Sequence, residues 1–120
     1  MATSKISKVL QEALDKFEGG KRWIKGNWKQ KDTKHGGFCY CSDGALQAAT
    51  NRRSYMAYDR AETYLRNELS KMVSYPENSI IRYNDSEDTK WRNIKSLFTK
   101  AIKAAQKDEM KVVTAKAKKA

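Results

Sequence analysis

Three stretches of this chain repeat apolar residues at the spacing of one helical face, and each leaves a stripe that must be covered. Ile6, Val9, Leu10, Ala13, Leu14 and Phe17 make the first. Ala57 or Tyr58, Ala61, Tyr64 or Leu65, Leu69 or Glu68, and Met72 make the second. Trp91, Ile94, Leu97 or Phe98, Ala101, Ile102 and Ala105 make the third. Stripes of this kind are stable only when packed together, so one shared core is the economical arrangement. Gly19 and Gly20 stop the first helix, and Thr3 or Ser4 can cap its start. Ser54 can cap the second, which runs to about Val73. Residues 75–78 hold the single proline and read as a turn. Ser79 to Tyr83 reads as a short strand. Asn84, Asp85 and Ser86 open the last helix, with Thr89 as an alternative cap.

Residues 21–46 interrupt this helical pattern. They gather two of three tryptophans, both cysteines, the only histidine and four of six glycines. Trp23, Ile24 and Trp28 surround the turn-like pair Gly26-Asn27, and Gly36-Gly37 precedes the short apolar run Phe38 to Cys41. A β-hairpin, or two short strands around a loop, fits this pattern. Ser42 or Asp43 then caps a short helix, residues 44–50, whose small face (Ala45, Leu46, Ala48, Ala49) suits close packing. The expected fold is a mostly helical α+β domain of four helices with a small hairpin or two- to three-stranded sheet. Residues 1–107 form one compact domain and residues 108–120 a basic, flexible tail.

A chain of 120 residues buries a real core without disulfides or metal. No apolar run reaches the ~20 residues of a membrane span, and the amphipathic N-terminus lacks a secretory apolar region. A cytoplasmic protein with reduced thiols is expected. The net charge of +11 is uneven. Residues 1–42 carry nine Lys/Arg against four Asp/Glu, and residues 89–120 carry ten against two. The middle, residues 43–88, is slightly acidic. Such asymmetry points to a polyanionic partner, nucleic acid or an acidic protein, or else to solubility alone.

Chemistry in residues 21–46 meets several obstacles. His35, Cys39 and Cys41 fall one short of a zinc site, and C-x-C is not the usual ligand spacing. No metal or cofactor is expected. Cys41 precedes a helix, whose dipole could lower its thiol pKa, but a Cys-His enzyme also needs an orienting group and a pocket. Gly36-Gly37 lacks the rest of a phosphate loop. Basic–aromatic interleaving is the stronger signal. Lys21, Arg22, Lys25, Lys29, Lys31 and Lys34 surround Trp23 and Trp28, and Arg52-Arg53 and the last-helix side holding Arg92, Lys95 and Lys103 add cations. Lysines pair with phosphates and exposed aromatics stack on unpaired bases. The alternative is two core tryptophans ringed by solvated lysines. A non-enzymatic accessory protein that binds nucleic acid, or a complex built on it, is the expected function. A modulator of a host protein is the alternative, and a small thiol enzyme the least favoured.

The pieces Trp23-Ile24-Lys25-Gly26, Phe38 to Leu46 with its C-x-x-G-A-L core, and Tyr83-Asn84-Asp85 before Thr89 resemble a family of small phage and bacterial proteins of unknown function. The resemblance runs over residues 5–106. It implies one compact domain, phage-encoded, with a tryptophan packed on the Gly44-Ala45-Leu46 helix and Asn84-Asp85 ordering a helix start. It implies no activity.

Overall fold

A computed structural model describes residues 5–50, 55–73 and 79–119, with the side chains of 113–119 excepted. Its elements in chain order are α1 (Ile6–Asp15), a 3₁₀ turn (Glu18–Gly20), β1 (Lys29–Lys31), β2 (Phe38–Tyr40), α2 (Ser42–Thr50), α3 (Tyr55–Met72), α4 (Ile80–Asp85) and α5 (Trp91–Lys119). The chain is a mostly helical α+β fold with one two-stranded antiparallel sheet.

The three expected stripes do meet. Val9, Leu10, Ala13 and Phe17 of the N-terminal region pack with Ala61, Leu65 and Leu69 of α3 and with Ile94, Leu97, Phe98 and Ala101 of α5. Phe17, Leu10, Leu65, Leu69, Ile94, Leu97 and Phe98 are completely buried, each contributing about 1.5–3 kcal/mol by leaving water. Phe17 packs edge-on against Phe98 and Trp91, with centroids 5.6 and 5.4 Å away. Ala45 and Leu46 of α2 close the core. The caps Thr3, Ser4 and Ser54 and the turn at residues 75–78 lie outside the described residues.

Two expected elements change identity. Residues 80–85 form helix α4, not a strand. Its Ser79 Oγ accepts from Arg82 N at 3.1 Å, and Ile80 and Tyr83 are buried while Ile81 is half exposed. That is one helical turn's spacing, and a short branched apolar run does not reveal it. The last helix therefore starts at Trp91, not at Asn84: Asn84 and Asp85 end α4, and the Asn93 side chain caps the backbone N–H of Lys90 at 2.7 Å. At the far end α5 continues to Lys119 through the stretch that reads as a tail. The Tyr64 hydroxyl donates to Asp108 at 2.6 Å, and Ser7 donates to Glu109 through both N and Oγ, so the first two residues of that stretch are tied to α3 and α1. Bonding to Asp108 pushes the Tyr64 pKa up to about 12.

Candidate nucleic-acid interface

The hairpin is built from Asp32 outward. Its carboxylate accepts the backbone N–H groups of His35 (2.9 Å) and Lys34 (3.0 Å), and Asp32 N and O pair with Gly37 O and Gly36 N at 2.9 Å. Gly36 and Gly37 take φ near +75°, which closes the turn. The His35 N–H, then the Lys34 N–H and the charges of His35 and Arg22, hold the Asp32 carboxyl below its usual range. Register pairs Lys29 with Tyr40, Gln30 with Cys39, and Lys31 with Phe38. Opposed residues share a face, so Lys29, Lys31, Phe38 and Tyr40 lie on one side and Gln30 and Cys39 on the other.

The base of the hairpin is welded to the core. Asn84 is fully buried, and its Oδ1 accepts from Trp23 Nε1 (2.6 Å), Ser42 N (2.9 Å) and Ser42 Oγ (2.7 Å). Its Nδ2 donates to Ile24 O and to Asp85 Oδ1, both at 3.0 Å. Asp85 also accepts from Gly26 N at 2.9 Å, and Lys25 Nζ donates to Ser86 O at 2.6 Å. Arg22 O and Ile24 N bond Tyr40, giving a parallel bridge between Trp23 and Tyr40 at the margin of the sheet. A Cβ on Gly44 would stand 1.6 Å from the Trp28 carbonyl oxygen, which itself accepts from Cys41 N. The W-I-K-G, C-x-x-G-A-L and Y-N-D pieces thus form one network around Asn84, which ties the loop to the first residue of α2 rather than opening the last helix.

All but two of the sequence-predicted residues now have a place. Lys21, Lys25, Lys29, Lys31 and Lys34 are exposed. Arg22 is half-buried, ion-paired with Glu18 and Asp32 and bonded to Phe38 O, so it builds the hairpin and is removed from the binding set. Arg52 and Arg53 lie outside the described residues. Arg92, Lys95 and Lys103 are exposed on α5, with Lys90, Lys100 and Lys107 beside them. None of these six makes an ion pair among the described residues, and residues 89–107 contain no Asp or Glu. Gly20 packs on the Trp91 ring, so the loop bearing Lys21 adjoins the first turn of α5.

The rare residues divide. Trp23 is half-buried, beside Trp91 at 6.3 Å, whereas Trp28 is 44% exposed and Phe38 39% exposed. The alternative of two core tryptophans therefore holds for Trp23, which packs against the core, and not for Trp28, whose backbone meets Gly44 while its side chain is exposed. Cys41 is buried, and its Sγ accepts from Gly44 N at 3.4 Å, taking the capping role expected of Ser42 or Asp43. Burial pushes the Cys41 thiol up, outweighing the helix N–H groups that were expected to lower it. His35 lies in the hairpin turn, bonded to Asp32 at 3.4 Å, at the opposite end of β2 from Cys41. No group of His, Cys, Asp and Glu among the described residues could hold a metal ion, and no helix there is long and apolar enough to cross a membrane.

Asp43 instead accepts from the Tyr58 hydroxyl, which also lies 2.9 Å from Glu62; burial, then these carboxylates, push the Tyr58 pKa up. A groove of about 490 Å³ between α1, α3 and α5 is lined by Ile6, Arg60, Tyr64, Asp108 and Val112. Sequence reasoning missed the Tyr58–Asp43 and Tyr64–Asp108 bonds, because they join residues 15 and 44 positions apart.

No curated protein and no solved structure matches the chain. A model of a family of unknown function, DUF6197, matches residues 1–104, covering every element that forms the Asn84 network and the hairpin. The chain therefore belongs to the family of unknown function DUF6197.

Proposed function

We propose that this protein is a cytoplasmic, non-enzymatic accessory factor that binds nucleic acid, without sequence preference, through its lysine surface. One observation carries the reading: Lys90, Arg92, Lys95, Lys100, Lys103 and Lys107 are all exposed on or beside one helix, residues 89–107 hold no acid, and none of the six makes an ion pair among the described residues. Lys71 and Lys111 do find acidic partners, Glu68 and Asp108. A run left uncompensated repels itself, and a phosphate backbone relieves that repulsion by releasing its own counterions.

Binding of a labelled duplex and a labelled single strand, followed by anisotropy over a salt series, tests this. Affinity should fall log-linearly with salt, with a slope near −0.9 per phosphate neutralised on duplex. Affinity absent at low salt, or indifferent to salt, overturns it. An acidic protein partner would instead survive nuclease treatment in an affinity capture and co-purify stoichiometrically.

A further inference from the structure

We infer that the hairpin face carrying Lys29, Lys31 and Phe38, with the adjoining Trp28 ring, is a stacking platform for unpaired nucleobases, so that single-stranded nucleic acid is the preferred ligand. This rests on the nucleic-acid reading above and narrows its ligand.

The first ground is placement. Trp28 and Phe38 are exposed on a two-stranded hairpin, and Lys29 Nζ stands 4.0 Å from the Phe38 centroid and 5.9 Å from that of Trp28. Isolated exposed aromatics are ordinary on any surface. Two rings that share one ammonium group form a unit, with flat faces to receive a base and a cation positioned for its phosphate. Lys31 lies opposite Phe38 in the register, and Lys34 follows in the turn.

The second ground is charge. Asp32 is the one acid between residues 19 and 42, and it is turned into the loop, held by Lys34 N, His35 N, Arg22 and His35. It steadies the turn without neutralising the lysines. The third is rigidity. The hairpin base is fixed by Asn84 and by the close approach of Gly44 to Trp28 O, so the backbone that carries the rings is already ordered before binding. A duplex hides its base faces in its own stack, and a single strand offers them. RNA and DNA share this chemistry.

Anisotropy with labelled oligothymidylate, oligouridylate (each about 15 nucleotides, near one site size) and a duplex tests the inference. Both single strands, or whichever of the two the protein prefers, should bind at least about tenfold tighter than duplex. Trp28→Ala with Phe38→Ala should remove about tenfold or more of that affinity and leave duplex binding and the melting temperature unchanged. Should that variant fail to fold, Trp28→Phe supplies the test: it should bind single strand while losing the quench of tryptophan fluorescence that binding causes in the unaltered protein. Equal affinity for duplex and single strand, undiminished single-strand affinity in the alanine variant, or a quench that persists in Trp28→Phe overturns the platform but leaves salt-dependent binding intact. Absence of binding to every strand at low salt overturns both readings.

Discussion

The base of the hairpin segment and its exposed face have the same kind of composition and opposite fates. At its base, Trp23, Ile24, Gly26, Cys41, Ser42 and Gly44 are locked by hydrogen bonds to Asn84 and Asp85 and by backbone packing. On its exposed face, the side chains of Trp28, Phe38, Lys29 and Lys31 face solvent. Rare residues therefore gather in one segment for two unrelated reasons. The base needs donors, acceptors and a missing Cβ at fixed points. The outer face needs only a rigid mount. Stability should reside in the first and binding in the second.

Gly44→Ala is the strongest way to break this division. A methyl group at 1.6 Å from a backbone oxygen has no side chain to displace, so α2 and the start of β1 must separate. A loss of about 4 kcal/mol or more is expected in denaturant unfolding. Glycine at this position would prove dispensable if the variant melted like the wild type.

Asn84→Ala comes next. It strands Trp23 Nε1 and the Ser42 N–H and hydroxyl in a buried site, at a cost of about 3 kcal/mol. Thermal melting measures this directly. Near-ultraviolet dichroism should also change as Trp23 loses its partner.

Lys95→Ala with Lys103→Ala inverts the expectation. Both side chains are exposed and without an ion pair among the described residues, so stability should move by no more than about 0.5 kcal/mol. The salt slope of duplex binding should flatten by about 0.9 for each phosphate that is no longer neutralised. A stability loss comparable to that of Asn84→Ala would erase the contrast between the two regions.

The smallest effect is a pH dependence. Asp32 has a folded pKa below its unfolded one, so its contribution is fully present above the unfolded value of about 4 and is lost as pH falls through the folded value. Hydrogen exchange across that window should show the Lys34 and His35 amides losing protection while the Leu65 and Phe98 amides keep theirs.

Much of the frame was legible in the chain. Period-3.6 stripes fixed α1, α3 and the buried side of α5, because those elements bury one face each and the spacing of that face is local information. The turn glycines and the apolar run at Phe38 marked the hairpin. Misreading α4 as a strand had a physical source: two adjacent isoleucines favour an extended chain locally, and only burial of Ile80 and Tyr83 against the rest selects the helix. Asn84 looked like a cap because asparagine favours caps, and its true partners lie 42 and 61 residues away.

By itself the sequence determined the helical core, the hairpin and the uncompensated charge of residues 89–107, since periodicity, turn chemistry and charge are properties of neighbours along the chain. The tertiary structure decided which tryptophan is mounted inside and which outside, that Arg22 is consumed by Glu18 and Asp32, and that Cys41 caps α2 with its thiol buried. Those outcomes turn on packing between distant residues and on the desolvation it imposes, and neither is written in local spacing.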